Sequence, residues 1–189
     1  MKNLGEAVMA AKQRFAEAGL GDAAFEARYL IGGLLDLSST EVFTGGERLL
    51  TLSETARIGD AIERRVRNEP VHRILGSREF FGLTLKLSAE TLEPRPDTGT
   101  LVEAILPYVQ KIAAEKGDVW LLDMGTGTGA IALSLVKAVP QLKAVGSDIS
   151  RDALDTAVAN AHLNGIADRF RPEERRVRQE CSSRSSPYH

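Results

Sequence analysis

The sequence predicts an α/β protein in which a helical bundle is followed by a β-hairpin linker and then by a parallel sheet with flanking helices. Apolar residues recur at helical spacing in the first third of the chain and alternate with a period of two between Phe81 and Leu87. From Val119 to Asn164 the order is strand, glycine loop, helix, strand and helix. These patterns divide the chain into residues 1–75, 76–97, 98–168 and 169–189.

The N-terminal region is predicted to be helical throughout. Asn3 and Asp22 are placed to cap the first two helices, the second of which runs to Leu35, and Ser53 is placed to open a third. Side chains of these types accept a backbone N–H of the first helical turn. Because short turns join the apolar helices, we expect a small bundle.

The linker region changes from helical to strand periodicity. Pro70 suits the first position of a short helix and Gly76 can close it. The alternation that follows predicts a hairpin that bends near Gly82. Farther on, Asp97 or Thr98 is expected to cap a helix that Pro107 should kink or split.

The second half of the chain is organised around residues 119–130. An apolar run ending at Asp123 indicates a strand buried on both faces, and Gly125, Gly127 and Gly129 indicate a turn that a ligand approaches closely. A helix follows this turn, so its first N–H groups point at whatever lies above the loop. The loop is therefore the predicted binding site.

A second strand ends in another acidic residue. Residues 142–148 form this strand and finish at Asp148, after which Ser150 caps a helix that ends near Asn164. Parallel strands joined by helices place their carboxyl ends at one edge of the sheet. Asp148 then lies where a nucleoside would place its ribose, and its carboxylate can accept both sugar hydroxyls.

Two ligand classes fit this geometry. The spacing from Gly125 to Ala130, with an acid about twenty residues on, matches a relaxed dinucleotide fingerprint. Asp123, two residues before the first glycine, would repel a pyrophosphate but would attract the sulfonium and ammonium of S-adenosylmethionine. The methyl donor is favoured, and an NAD-dependent oxidoreductase is the alternative.

Composition excludes several function classes. The chain has 189 residues, of which 43% are hydrophobic and 26% charged, and a formal charge of −2 gives no general case for nucleic-acid binding. No apolar run is long enough to span a membrane. One cysteine and three scattered histidines predict no metal site and fit a reducing cytoplasm.

Several motifs, taken in order, resemble the bacterial release factor glutamine methyltransferases. The resemblance runs from the N-terminal helices to about Ile166. The motifs that carry it are Glu69-Pro70-Val71-His72-Arg73-Ile74-Leu75-Gly76, Arg78-Glu79-Phe80-Phe81-Gly82, Pro94-Arg95-Pro96-Asp97-Thr98 and Leu122-Asp123-Met124-Gly125-Thr126-Gly127-Thr128-Gly129-Ala130-Ile131-Ala132.

The resemblance implies an incomplete Rossmann-like class I methyltransferase domain behind the helical bundle. The family uses S-adenosylmethionine to methylate the glutamine side-chain nitrogen in the Gly-Gly-Gln loop of peptide chain release factors, and its helical domain helps to hold that protein. Carried over by position, the cofactor-binding residues are Asp123, Gly125, Thr126, Gly127, Thr128, Gly129 and Asp148.

The sequence departs from the family in its catalytic motif. The family's Asn-Pro-Pro-Tyr does not occur in this sequence, where the nearest likeness is Ser185-Ser186-Pro187-Tyr188, and Gly99 replaces a usual glutamate. No catalytic residue is therefore assigned. The chain as written is expected to be marginally stable, to bind the donor weakly and to show no transferase turnover. The alternative is a non-catalytic module that docks a translation factor.

The composition changes after Asp168. Arginines, serines and interleaved acids predict an arm without regular structure from residue 169 to residue 189. We interpret the change as a shift of reading frame or a cut in the gene near Arg169 to Arg171. The strand at Leu121 and Leu122 is then expected to expose an apolar edge that favours self-association.

Overall fold

The computed structural model describes residues 1–174. They fall into two compact units, whose boundary lies between Ser77 and Arg78. Each unit has its own apolar core, and each is described by itself. In the part of the chain that the structure describes, no helix is long and apolar enough to cross a membrane.

The first unit is the helical bundle that the sequence predicts. Its core is built around fully buried side chains that include Phe15, Leu30, Ile31 and Ile58. The apolar positions recur every three or four residues, so each helix buries one stripe against its neighbours. The helices are α1 (Leu4–Glu17), α2 (Ala23–Leu35), α3 (Ser39–Thr44), α4 (Leu52–Val66) and α5 (Val71–Leu75).

The caps of the first two helices are as predicted, and the third predicted cap is wrong. The side chains of Asn3 and Asp22 accept N–H groups of the first turn of α1 and α2. Helix α4 is capped by Thr51 instead of Ser53, because Thr51 and Glu54 bond each other's backbone N–H reciprocally. The short helix α3, which was not predicted, begins with the same kind of capping box at Ser38.

The Glu54 side chain predicts how the stability of this unit depends on pH. Its carboxylate accepts the Thr51 N–H at 2.8 Å and lies 2.6 Å from an Arg48 nitrogen. The bond from the Thr51 backbone, followed by the bond from Arg48, lowers the pKa of Glu54 from 4.5 to about 2. A lowered native pKa stabilises the fold above pH 4.5, and that stabilisation is lost as the pH falls through about 2.

Glu54→Gln is therefore expected to lower the unfolding temperature at pH 7 and to flatten its decline below pH 4.5. Circular dichroism melts between pH 7 and pH 2 measure both effects. The control is Glu47→Gln, since Glu47 is exposed between α3 and α4. Equal acid sensitivity of the wild type and Glu54→Gln would contradict the role of this cap.

The second unit combines a hairpin with a parallel sheet. The hairpin turns at Phe81 and Gly82, as predicted, and both residues have positive φ. The elements from Ser77 onward are β1 (Ser77–Phe80), β2 (Leu83–Lys86), α6 (Pro96–Lys116), β3 (Val119–Met124), α7 (Ala130–Ala138), β4 (Leu142–Asp148), α8 (Arg151–Leu163), a 3-10 turn (Ala167–Arg169) and β5 (Phe170–Glu174).

The three strands of the sheet lie in the order β3-β4-β5 and are parallel. Val119 is paired with Leu142 and Met124 with Ser147, so β3 and β4 end at the same edge. Asp123 and Asp148, both near the carboxyl ends of their strands, are brought to one side of the glycine loop. This confirms the predicted α/β arrangement of strand, helix and strand.

The expectation that β3 is buried on both faces is wrong. Val119, Leu121 and Asp123 are partly buried, whereas Trp120, Leu122 and Met124 on the opposite face are 62%, 59% and 67% exposed. The apolar run therefore predicted the strand correctly and its surroundings incorrectly. Among residues 1–174, β3 is paired with β4 alone and is the edge of the sheet.

Helix α6 also differs from its prediction. Arg95 occupies the N-cap position without a side-chain hydrogen bond, and Pro96 is the first helical residue, so neither Asp97 nor Thr98 is the cap. Pro suits this position because the N–H that it lacks would have no helical partner there. The helix continues through Pro107 to Lys116 and is not split.

A strand forms where the sequence analysis expected an arm without regular structure. Phe170–Glu174 extends the sheet beside β4, and the Phe170 side chain is buried in the core of the unit. Just before it, one Arg169 nitrogen donates to the carbonyl oxygens of Val136 and Val139 at 2.6 and 3.0 Å. Arg169 thus satisfies carbonyl groups at the end of α7. Residues 175–189, which include the Ser185-Ser186-Pro187-Tyr188 segment, lie outside the described residues.

Candidate functional site

The glycine loop joins β3 to α7 with a backbone that requires glycine. Gly125, Gly127 and Gly129 have φ angles of 76°, 56° and 81°, in the left-handed region that other residues rarely adopt. A Cβ at Gly129 would lie 2.8 Å from the Leu133 side chain. A Cβ at Gly125 or Gly127 would meet no atom within 4 Å, so the space around these two residues is open to a ligand.

Backbone hydrogen bonds fix the loop to the neighbouring strand. The N–H groups of Gly125 and Thr126 both donate to the Ser147 carbonyl, at 2.7 and 3.0 Å. Within the loop, the Gly129 N–H donates to the Thr126 carbonyl at 2.8 Å. These bonds stabilise the observed shape of the loop, and a preformed loop lowers the entropy cost of binding.

The two threonines of the loop are buried. Thr126 is 6% exposed and Thr128 is 3% exposed. The Thr126 hydroxyl donates to an Asp123 carboxylate oxygen at 2.8 Å. Both threonine side chains thus face the protein, and a ligand over the loop would meet their backbone atoms.

The carboxyl group of Asp123 lies in a partly buried position at the end of β3. Burial raises its pKa, the bonds from the Thr126 hydroxyl and the Ala132 backbone lower it, and the nearby Asp148 charge raises it; the net direction is upward. A raised pKa means that the surroundings disfavour the negative charge. A positively charged ligand beside Asp123 would therefore be stabilised by it.

Asp148 is occupied in holding the backbone of the site. One carboxylate oxygen accepts the Gly127 N–H at 2.9 Å, and the other accepts the Ser150 N–H at 3.0 Å. Each oxygen retains a second lone pair for a further hydrogen bond. Asp148 thus links the glycine loop to the start of α8, and the same carboxylate remains able to accept a sugar hydroxyl.

Two further contacts at the site were missed by the sequence analysis. The Ser150 hydroxyl donates to Glu90, which places the segment after β2 beside the acid of β4. The side chain of Asn160, on α8, bonds both Lys86 in β2 and the Thr128 carbonyl of the loop. A signal for Asn160 was available, because it lies on the same helix face as buried Ala153 and Ala157.

The described residues contain no metal-binding constellation. Between Met1 and Glu174, no group of three or more His, Cys, Asp or Glu side chains could hold a metal ion. The features of the site are therefore the backbone of three glycines, two carboxylates at the ends of parallel strands and open space above the loop.

Comparison with known proteins gives two family models and a set of close relatives. Residues 6–76 match the PrmC N-terminal domain and residues 94–183 match the methyltransferase small domain. The release factor glutamine methyltransferase of Agrobacterium fabrum is 50% identical over 163 residues, which is 86% of this chain and 56% of the relative. Those of Bradyrhizobium diazoefficiens and Aliivibrio fischeri are 45% and 39% identical, over 82% and 75% of this chain.

The chain spans about half the length of these relatives: 56%, 52% and 48%. The two matched models follow each other in the order of the two structural units, the first within the helical bundle and the second over the glycine loop and the parallel sheet. Across both of its structural units, the chain is similar to the release factor glutamine methyltransferases.

Proposed function

We propose that this protein binds S-adenosylmethionine in the glycine loop and serves the methylation of the glutamine side-chain nitrogen in peptide chain release factors. The observation that carries the proposal is the Asp123 carboxyl group at the mouth of the loop, whose pKa burial raises. Such a group favours a cationic ligand over a pyrophosphate. The names of the relatives support the substrate.

The residues of the site fit this donor. When bound, S-adenosylmethionine supplies an activated methyl group on a positively charged sulfur. Asp123 would interact with the charged methionine end, and the backbone of residues 125–129 would line it. Asp148 would accept the ribose hydroxyls while it keeps its bonds to Gly127 and Ser150. These are the seven residues that the sequence analysis assigned to the cofactor.

The acceptor side of the reaction calls for a second candidate function. An amide nitrogen is a weak nucleophile, so its orientation toward the methyl group must be fixed by hydrogen-bond acceptors. The family's Asn-Pro-Pro-Tyr motif, which the resemblance gives this task, does not occur in the 189 residues. The second candidate function is a module that binds a translation factor without methyl transfer.

Two measurements on the 189-residue chain test the proposal. We expect S-adenosylmethionine to raise the unfolding temperature of the second unit, and NAD to leave it unchanged, because only a ligand of the native state stabilises it. Stabilisation by NAD alone would overturn the cofactor. In the second assay, a radiolabelled methyl donor is incubated with unmethylated release factor. Label on the release factor would reject the binding-module alternative.

The partner and the location follow from the same proposal. The protein partner is a peptide chain release factor, and neither nucleic acid nor a membrane takes part directly. Release factors act in translation, so the proposed location is the cytoplasm. We also propose self-association through β3, where Trp120, Leu122 and Met124 form an exposed apolar face at the edge of the sheet.

Leu122→Lys is expected to shift the equilibrium between oligomer and monomer toward the monomer. A charged side chain on the exposed apolar face of β3 opposes contact between the β3 edges of two copies. Sedimentation velocity over a tenfold range of protein concentration measures the change. The matched control is Leu163→Lys, since Leu163 is 49% exposed at the end of α8. If the wild type sediments as a monomer throughout, self-association through β3 is rejected.

A further inference from the structure

Asn160 is a fully buried polar side chain on the otherwise apolar inner face of α8. Its carboxamide oxygen accepts the Lys86 N–H at 2.7 Å. Its amide nitrogen donates to the Lys86 carbonyl at 3.2 Å and to the Thr128 carbonyl at 2.9 Å. One side chain therefore joins three elements: α8, the edge of β2 and the glycine loop.

Asn164, the residue that caps the C-terminus of α8, makes the same pair of bonds to β2. Its oxygen accepts the Thr84 N–H at 3.1 Å, and its nitrogen donates to the Thr84 carbonyl at 2.9 Å. Thr84 and Lys86 are two residues apart, so their backbone groups face the same edge of β2. The two asparagines thus pair with that edge as a neighbouring strand would, and Asn160 alone of the two bonds the loop.

We propose that Asn160 is a positioning residue for the cofactor loop, an inference that rests on the proposed binding of S-adenosylmethionine. Thr128 lies between Gly127 and Gly129, which have positive φ angles. Because glycine can adopt many backbone conformations, these two residues alone do not fix the orientation of the peptides beside them. The bond to the Thr128 carbonyl fixes the orientation of the peptide that joins Thr128 to Gly129. Asn160 thereby keeps the loop in the shape that the ligand meets.

The same contact couples the loop to the hairpin. Lys86 ends β2, and Glu90, four residues later, receives a hydrogen bond from Ser150, which in turn donates its N–H to Asp148. The segment from β2 to Glu90 therefore contacts both halves of the site, the loop through Asn160 and the Asp148 carboxylate through Ser150. Displacement of β2 would alter the loop first through Asn160.

A comparison of Asn160→Ala with Asn164→Ala separates positioning from stability. Both variants lose two bonds to β2; Asn160→Ala also loses the bond to the Thr128 carbonyl, and Asn164→Ala also loses the bond to the Asn160 carbonyl. Both are expected to lower the unfolding temperature. Calorimetric titration with S-adenosylmethionine should show about tenfold weaker binding for Asn160→Ala than for Asn164→Ala, the loss expected for one hydrogen bond.

Asn160→Asp covers the case in which Asn160→Ala does not fold. The ionised aspartate keeps an acceptor for the Lys86 N–H but has no donor for the Thr128 carbonyl. At pH 7 it is expected to bind the donor at least as weakly as Asn160→Ala. Equal affinity of the Asn160 variants and Asn164→Ala would overturn the positioning role.

Amide hydrogen exchange without ligand keeps this inference distinct from the proposed function. The Gly129 N–H is bonded to the Thr126 carbonyl inside the loop. It should exchange faster in Asn160→Asp than in Asn164→Ala. If the wild type does not bind S-adenosylmethionine, the proposed function fails. Equal exchange at Gly129 in the two variants would reject the coupling whether or not the donor binds.

Discussion

Phe170→Ala is expected to destabilise the second unit by about 3–5 kcal/mol, the usual loss for a truncated core phenylalanine. Phe170 is 7% exposed in β5 and belongs to the same core as the residues of α7 and β4. Its ring occupies the space above Gly146, where an added Cβ would lie 2.6 Å from the ring. Glycine in β4 and phenylalanine in β5 are thus complementary in shape.

Urea denaturation followed by the fluorescence of Trp120 measures this loss. Trp120 is the single tryptophan of the chain and lies on β3, so its signal reports the second unit. Arg171→Ala is the matched control, because Arg171 is the exposed neighbour in the same strand and should change the free energy of unfolding by less than about 0.5 kcal/mol. Equal stabilities of the two variants would show that β5 does not contribute to the fold.

A double-mutant cycle between the two positions sharpens this test. Gly146→Ala alone should destabilise the unit, because the added methyl group meets the Phe170 ring. In the Phe170→Ala background the same methyl group enters the space that the ring has left. We expect the two losses to be less than additive, with a coupling of about 0.5–3 kcal/mol between contacting residues.

Asp123→Asn is expected to weaken the binding of S-adenosylmethionine about 10- to 150-fold, the range for loss of a hydrogen bond to a charged group. The same variant should be more stable than the wild type at pH 7 without ligand. The pKa of Asp123 is raised by burial, so ionisation opposes folding. Stability from this group is present at low pH and is lost as the pH rises from 3.8 through the raised native pKa.

Thermal melts with and without S-adenosylmethionine measure both effects. Without ligand, the unfolding temperature of Asp123→Asn should exceed that of the wild type at pH 7 and approach it near pH 3.8. With ligand, the order at pH 7 should reverse. Asp118→Asn is the control, since Asp118 is exposed just before β3 and bonds Lys143. If Asp123→Asn binds S-adenosylmethionine as tightly as the wild type does, Asp123 does not belong to the binding site.

The sequence predicted the elements of this fold better than their surroundings. Local signals marked the caps of α1 and α2, the hairpin at Gly82 and the succession of strands and helices after Val119. The apolar run alone favours a buried strand and does not show that Trp120 and Leu122 are exposed, because an edge strand and a central strand have similar composition. The exposed edge is predicted only from the change of composition after Asp168. Burial on each face depends on neighbours that lie far away in the sequence.

The missed strand β5 has a similar cause. Its sequence contains Pro172 and two acids, and its one large apolar residue, Phe170, stands among arginines. Propensity is a weak guide to such a strand, which is stabilised by pairing with β4 and by the fit of its ring above Gly146. Arg169, where the predicted arm begins, bonds carbonyl groups at the end of α7.

The candidate site was predictable where spacing alone defines it. Asp123 and the three glycines are close in sequence, and the strand order places Asp148 beside them. Asn160 was not predictable in the same way, because its partners lie 32 and 74 residues away. The one sequence signal for Asn160 is its position as a polar residue on an apolar helix face.

The most direct test of the central claim is a crystal structure of this chain grown in parallel with S-adenosylmethionine and with NAD. We expect electron density for the methyl donor over Gly125 and Gly127, with its charged methionine end beside the Asp123 carboxylate. We expect no nucleotide density there in the crystal grown with NAD. A pyrophosphate seated on the loop, with the methyl donor absent from it, would contradict the account.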